Sequence, residues 1–149
     1  MSLALFMLIT VGGGLLIGFV SRPGEWYRKL AKPWFTPPNS IFGPAWTALY
    51  FLIAIAGWRT FTRDPLGAAM TVWVIALLLN FVWSPVFFGL HRPTAALAVV
   101  LALLANILVF IFVSWRQDSV TALLFVPYAV WVAFAVVLNA AICRLNRSV

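Results

Sequence analysis

Five long apolar runs, separated by short polar stretches, dominate the chain. Each run is continuously apolar over about the 20 residues that a transmembrane helix needs, whereas a transmembrane β-strand would alternate over about ten residues. The pattern therefore predicts an all-α membrane protein built as a single domain over residues 1–149. Its bundle of five transmembrane helices is expected at about residues 3–20, 41–58, 66–90, 94–114 and 120–143.

The segment between the first two runs, residues 21–40, has the sequence SRPGEWYRKLAKPWFTPPNS. Prolines at positions 23, 33, 37 and 38 exclude one continuous helix, because proline lacks a backbone N–H and clashes with the preceding helical turn. Its aromatic residues (Trp26, Tyr27, Trp34 and Phe35) make it too apolar for a plain solvated linker. We predict that this segment, called loop one below, folds over the mouth of the bundle as a lid.

Composition agrees with a membrane location. Of the 149 residues, 64% are apolar and 9% are charged, whereas about 25% of a soluble domain is charged. This excludes a soluble globular domain, and the single cysteine, Cys143, excludes an internal disulfide and a cysteine-rich metal site. The net charge of +7 is spread over short loops without a basic stripe, so we expect an anionic lipid bilayer, and no nucleic acid, as a partner.

The basic residues divide unevenly between the two sides of the predicted bundle. Loop one, the loop after the third run and the C-terminus carry seven of them: Arg22, Arg28, Lys29, Lys32, Arg92, Arg144 and Arg147. The opposite side carries Arg59, Arg63 and Arg116. Because short loops rich in Lys and Arg stay in the cytoplasm, we predict an N-terminus outside and a C-terminus in the cytoplasm.

The three acidic residues, Glu25, Asp64 and Asp118, all fall in predicted loops. Ion-coupled transporters bury ionisable groups inside the bundle, so a coupled transporter is disfavoured. A carboxylate-ligated metal site and a two-carboxylate hydrolase lose the groups they require. We therefore expect no metal site.

Three tryptophans, Trp46, Trp83 and Trp131, lie a turn or more inside their predicted helices, where an indole N–H needs an acceptor or a polar cavity. Helical spacing gives each one a face shared with aromatic, small or polar residues: Phe42, Tyr50 and Ile53 beside Trp46, Asn80 and Phe87 beside Trp83, and Ala135 and Asn139 beside Trp131. Two interpretations stay open. One is ordinary packing with Asn80, Asn106 and Asn139 as interhelical hydrogen bonds, and the other is an aromatic cavity for a flat hydrophobic ligand.

Small residues also recur at four-residue spacing, which lets helices approach closely. The pairs are Gly14 with Gly18, Ala98 with Ala102, and Ala129 with Ala133. This pattern does not separate contacts within one chain from a dimer interface.

Four blocks of the chain carry a specific pattern: PGEWYRKLAKP at 23–33, KPWFTPPNSIFGPAWTALYFL at 32–52, NFVWSPVFFGLHRPTAAL at 80–97 and FVPYAVWVAFAVVLN at 125–139. Together they resemble the translocator protein family, also called tryptophan-rich sensory proteins. The resemblance implies a five-helix bundle, usually a homodimer, in the bacterial cytoplasmic or outer membrane or its mitochondrial relative. Of these we expect the inner membrane of a bacterium. It also implies a pocket that binds porphyrins, such as protoporphyrin and haem precursors, and isoquinoline or benzodiazepine ligands.

The residues that match this pocket are Tyr27, Trp34, Trp46, Tyr50, Asn80, Trp83 and Trp131. The resemblance implies a receptor or carrier for tetrapyrrole sensing or transport, with porphyrin as a ligand and no tightly bound cofactor. The alternative is an enzyme that degrades porphyrin in light through Trp46 and Trp131. The family's animal members carry a sterol-recognition tyrosine near the end of the fifth helix, but the segment VLNAAICR at 137–144 has none.

Overall fold

The computed structural model describes residues 2–147, and within that range it contains helices and no strand. Among these residues, five helices are long and apolar enough to cross a membrane. In chain order we label the helices α1 (Leu3–Val20), α2 (Glu25–Lys29), α3 (Asn39–Arg63), α4 (Ala68–Gly89), α5 (Pro93–Trp115) and α6 (Ser119–Leu145). The predicted fold class, an all-α membrane protein with five spanning helices, is confirmed; α2 is a short helix within loop one.

The spanning helices extend beyond the apolar runs at some ends. Helix α3 continues to Arg63, past the expected end at Trp58, and α6 continues to Leu145. In the last turns of α3, the Thr60 hydroxyl donates a hydrogen bond to the carbonyl of Ala56, and Arg59 and Arg63 reach an acidic partner. The end of an apolar run predicts where a helix leaves the hydrocarbon core of the membrane. The helix itself continues into the polar residues that follow, because its backbone hydrogen bonds do not depend on apolar side chains.

Two prolines modify the spanning helices without ending them. At Pro85 the last turn of α4 widens, and Leu90 N–H donates to the carbonyl of Pro85, five residues earlier. In α6 the regular pattern is interrupted at Phe125, two residues before Pro127. Both changes follow from the missing N–H and the bulky ring of proline.

Helix α5 packs between α4 and α6, while α3 lies against α1 and α6. The core between them is filled by large buried side chains, among them Phe6, Ile53, Trp73, Phe110 and Tyr128. Polar groups in this core bond across helices: Trp73 Nε1 donates to the carbonyl of Ile53 at 2.9 Å, and Asn106 Nδ2 donates to the carbonyl of Val72 at 2.8 Å. The predicted interhelical role of Asn106 is confirmed.

Loop one packs onto one end of the bundle. Tyr27 and Leu30 are buried there in a cluster with Phe87 of α4 and Ile142 of α6. Trp26 stacks on His91 in the turn between α4 and α5, with ring centroids 4.5 Å apart and planes 9° from parallel. The apolar residues of loop one thus hold it against the bundle.

The opposite end is held by a charge cluster around Asp118. Its carboxylate accepts hydrogen bonds from Arg59 Nε at 2.9 Å, Arg59 Nη2 at 3.1 Å and the Thr121 hydroxyl, and Arg63 Nη1 lies 3.2 Å away. The Asp118 side chain is 7% exposed. This cluster ties α3 to the turn between α5 and α6.

Candidate functional site

A cavity of about 340 Å³ lies between α1, α3 and α4 beneath loop one. Ligand cavities in proteins run from about 300 to 1,000 Å³, so this volume accommodates a small organic molecule or part of a larger one. Helix α1 contributes mostly glycine and aliphatic side chains, and α3 and α4 contribute aromatic rings. The lining residues that matter below are Gly14, Leu15, Gly18, Phe19, Tyr27, Gly43, Trp46, Tyr50, Asn80 and Trp83.

The aromatic wall of this cavity is centred on Trp46. Its ring lies 5.8 Å from that of Tyr50 with planes 29° apart, and 6.5 Å from that of Trp83 with planes 35° apart. Trp46 and Tyr50 are one helical turn apart on α3, and Trp83 faces them from α4. The Trp46 ring is thus stacked beside that of Tyr50 and tilted against that of Trp83, and the three rings form one aromatic wall of the cavity.

A second, much smaller cavity of about 20 Å³ lies behind that wall, between α3, α4 and α6. The two cavities share Tyr27, Phe42, Trp46, Trp83 and Phe88 as lining residues. A space of this size holds about one water molecule. The shared rings therefore act as a partition between a large front chamber and a small rear chamber.

Trp131 lines the rear chamber. Its ring meets those of Phe42 and Trp46 edge-on, with centroids 5.8 Å and 6.3 Å away. Its Nε1 is buried and has no hydrogen-bond partner among the described residues. A buried N–H without an acceptor costs folding free energy. The Trp131 N–H can therefore donate to any hydrogen-bond acceptor that enters the rear chamber.

Asn80 lies at the base of the front chamber but is engaged by two tyrosines. The Tyr50 hydroxyl donates to Asn80 Oδ1 at 2.8 Å, and Asn80 Nδ2 donates to the Tyr128 hydroxyl at 2.7 Å. The network joins α3, α4 and α6, and Tyr128 is fully buried. Asn80 therefore crosslinks three helices at the edge of the cavity.

Asn139 plays a similar part behind Trp83. Trp83 Nε1 donates to Asn139 Oδ1 at 3.0 Å, and Asn139 Nδ2 donates to the carbonyl of Pro93 at 2.9 Å. The predicted interhelical hydrogen bonds of Asn80 and Asn139 are confirmed. The asparagines thus pack the helices together, as the first interpretation predicts, and the rings beside them line a cavity.

Loop one supplies Tyr27 to both chambers, where its side chain is 4% exposed. Desolvation by burial raises the pKa of the Tyr27 phenol, so the group is neutral at physiological pH. Trp34 is the predicted site residue that the structure does not bring to either chamber: its side chain is 94% exposed. It lies in a turn that the Thr36 N–H and hydroxyl close onto the carbonyl of Pro33, and this turn holds the indole away from the bundle.

No side chain lining either chamber is charged, within residues 2–147. Two cations nevertheless lie over lining rings at the mouth. The Arg22 guanidinium is 5.0 Å from the centre of the Phe19 ring, and Lys32 Nζ is 4.6 Å from that of Tyr27. The site thus combines an uncharged aromatic interior with a positive rim.

The structure brings Tyr27, Trp46, Tyr50, Asn80 and Trp83 to the front chamber and Trp131 to the rear one. Sequence reasoning missed Tyr128, which lies three residues before Trp131 and bonds to Asn80. Its helical spacing from Trp131 and its position in the 125–139 block are the signals that point to it.

Comparison with known proteins gives the family. The model of the TspO/MBR family matches residues 6–145. The chain belongs to the TspO/MBR family. It is 38% identical to a tryptophan-rich sensory protein of Cereibacter sphaeroides over 98% of this chain and 94% of that protein. It is 44% identical to the tryptophan-rich protein TspO of Archaeoglobus fulgidus over 81% and 80% of the two chains, and 35% identical to the Homo sapiens translocator protein over 90% and 84%.

Proposed function

We propose that this member of the TspO/MBR family is a membrane receptor or carrier that binds porphyrins, and isoquinoline or benzodiazepine compounds, in the front chamber. The observation that carries the proposal is the grouping of the Trp46, Tyr50 and Trp83 rings along one wall of a cavity of about 340 Å³. Stacking on such rings contributes about 0.5–1.5 kcal/mol per ring beyond area burial. A flat conjugated ligand gains most from this wall.

The rear chamber extends the site for a macrocycle. Rotation of the Phe42 side chain, one ring of the partition, joins the two chambers and exposes Trp131 to the ligand, while the wall of Trp46, Tyr50 and Trp83 stays in place. The unpartnered Trp131 Nε1 then meets an acceptor on the porphyrin. This places the ligand against three helices, α3, α4 and α6.

The rim supports a dicarboxylate porphyrin in particular. With the macrocycle in the uncharged interior, its two propionate groups emerge at the mouth beside Arg22 and Lys32. Exposed ion pairs of this kind contribute about 0.2–1 kcal/mol each. The positive rim therefore orients an amphiphilic tetrapyrrole.

The test is a titration of the purified protein in detergent with protoporphyrin and with its dimethyl ester, followed by tryptophan fluorescence. We expect saturable quenching by both compounds and tighter binding of the diacid by about threefold. The Arg22→Gln, Lys32→Gln double variant should bind both equally. Quenching that does not saturate with either compound would refute the proposed function.

A second candidate function, breakdown of the bound porphyrin in light, is favoured by the spacing of the indoles. The Trp46 ring lies 6.5 Å from that of Trp83 and 6.3 Å from that of Trp131. These rings adjoin the ligand and are its nearest electron donors once light has excited it. The test is to illuminate the protoporphyrin complexes of the wild type and of Trp131→Phe in air. If this function is correct, a defined porphyrin product forms in the wild type and not in Trp131→Phe.

We further propose a homodimer in the inner membrane of a bacterium. Gly14 packs against Tyr50 of its own chain, whereas Ala98 and Ala102 are exposed on α5. These small side chains let a helix of a second copy approach closely. In a variant with Cys143 replaced by Ser, Ala102→Cys should form a disulfide between two copies under oxidising conditions. Thr71→Cys, at an exposed position of α4, should not.

A further inference from the structure

Helices α1 and α3 pack against each other along the first part of α1 and up to Gly14, near the base of the front chamber. A Cβ atom at Gly14 of α1 would collide with the Tyr50 ring of α3, so these helices pack at the distance that glycine permits. At the same level, the Thr10 hydroxyl donates to the carbonyl of Tyr50 at 3.1 Å. The two helices are therefore joined at this end of the cavity.

One turn along α1 and two turns back along α3, the same helix faces separate. Apart from its own helical turn, a Cβ atom at Gly18 or at Gly43 meets no heavy atom of the described residues within 4 Å. Both glycines are exposed, and both line the front chamber. The helices thus diverge from the Gly14–Tyr50 contact and leave a gap framed by Gly18 and Gly43.

This gap connects the chamber to the outer surface of the bundle. Leu15 and Phe19 of α1 line the chamber, yet their side chains are 56% and 67% exposed. Large apolar side chains on the outside of a spanning helix face lipid. The opening is therefore bordered by residues in contact with acyl chains.

The end of the chamber nearest the aqueous phase is covered. Loop one places the buried residues Ser21 and Tyr27 across it, and Lys32 lies over the Tyr27 ring. A ligand that entered from water would have to displace these packed residues. A ligand dissolved in the bilayer meets only the gap between α1 and α3.

We propose that the cavity exchanges its ligand directly with the bilayer, through a lateral portal between α1 and α3 framed by Gly18 and Gly43. This inference rests on the proposed function, because it assigns a route to the same site. It defines the ligand class as lipid-dissolved, flat and amphiphilic. A molecule of this class diffuses in the plane of the membrane with its polar groups at the loop-one face and enters edge-first.

The experiment measures the rates of protoporphyrin binding and release in lipid vesicles by stopped-flow tryptophan fluorescence. Gly18→Leu and Gly43→Leu place an isobutyl group in the portal, and Gly18→Ala provides a minimal version that preserves packing. Gly24→Leu is the matched control, because a Cβ at Gly24 also meets no described atom within 4 Å but lies in loop one. Size-exclusion chromatography verifies that each variant is folded.

We expect both leucine variants to slow association by about tenfold or more and to slow dissociation as well. Because Gly18 and Gly43 also line the chamber, some loss of affinity accompanies the slower association. Gly18→Ala should have a smaller effect in the same direction, and Gly24→Leu none. Weaker binding with an unchanged association rate would place the leucine in the binding volume and overturn the portal. Slowing by Gly24→Leu alone would assign entry to loop one. Saturable binding with unaltered rates in every variant would overturn the portal alone, whereas no saturable binding by the wild type would refute the proposed function itself.

Discussion

Asn146, at the end of α6, holds Ala31 of loop one by a pair of hydrogen bonds. Asn146 Nδ2 donates to the carbonyl of Ala31 at 2.8 Å, and the Ala31 N–H donates to Asn146 Oδ1 at 3.1 Å. The side-chain amide thus pairs with a backbone peptide in the way that two strands pair. This contact fixes the loop segment that follows the buried Tyr27.

Asn146→Ala should loosen loop one. Loss of two partly exposed hydrogen bonds costs about 1 kcal/mol in total, which raises the open population about fivefold. Trypsin cleavage after the exposed Arg28 and Lys29 should accelerate accordingly, and bound protoporphyrin should slow cleavage of the wild type. Gln117→Ala, on the opposite end of the bundle, is the control. Equal cleavage of Asn146→Ala and wild type would show that this pair does not hold the lid.

Asn80→Ala should destabilise the bundle more than Tyr50→Phe does. Tyr50→Phe removes one hydrogen bond, and such bonds within membranes average about 0.6 kcal/mol. Asn80→Ala removes both bonds and leaves the fully buried Tyr128 hydroxyl without a partner, so a loss of about 1–3 kcal/mol is expected. Thermal unfolding in detergent measures both. Equal melting temperatures for the two variants would contradict the network.

The spanning helices could be predicted because transfer of continuous apolar runs into hydrocarbon depends on composition and length alone. The face shared by Trp46 and Tyr50 also follows from helical spacing. The partners of Asn80 could not be predicted, since they depend on how α3 and α6 are rotated about their axes. Trp34 lies outside the chambers for a related reason: the Pro33–Thr36 turn and the docking of loop one decide its direction.

The charge cluster at Asp118 predicts an acid-sensitive contribution to stability. The Arg59 guanidinium holds the pKa of the Asp118 carboxyl far below its usual range, although burial opposes that shift. A depressed pKa in the folded state stabilises the protein above the unfolded value of about 3.9, and this contribution is lost as the pH falls further toward the folded pKa.

Asp118→Asn should therefore lower the free energy of unfolding at pH 7. The loss should be only about 1 kcal/mol, because solvent screens the charges of the half-exposed Arg59 and Arg63. The difference from wild type should shrink below about pH 4. Thermal unfolding in detergent from pH 7 to pH 3 measures it. Asp64→Asn, at an exposed carboxylate, serves as the control. A difference that stays constant with pH would show that Asp118 does not act through its charge.

The distribution of basic residues predicts the membrane orientation. With Cys143 replaced by Ser, a cysteine at Ser40, the last residue of loop one, should resist an impermeant thiol reagent in intact cells. A cysteine at Thr62, at the opposite end of α3, should react. Both positions are exposed, so accessibility reports the side of the membrane. The reversed labelling pattern would invert the orientation.

Trp131 tests the composition of the binding site. It contributes a ring edge-on to Phe42 and Trp46 and an indole N–H without a partner in the described chain. Trp131→Phe keeps most of the apolar area and loses the N–H, whose hydrogen bond contributes about 1 kcal/mol. Trp131→Ala also loses the ring, which contributes about 0.5–1.5 kcal/mol beyond its area.

The affinity for protoporphyrin should therefore fall from wild type to Trp131→Phe and again to Trp131→Ala. The first step should be about fivefold and the second at least about as large. Titration against tryptophan fluorescence in detergent measures all three. Trp115→Ala, at the exposed end of α5, should leave binding unchanged because it lies at neither chamber. Equal losses of affinity for Trp115→Ala and Trp131→Ala would show that the pocket assignment is wrong, since only Trp131 borders a chamber.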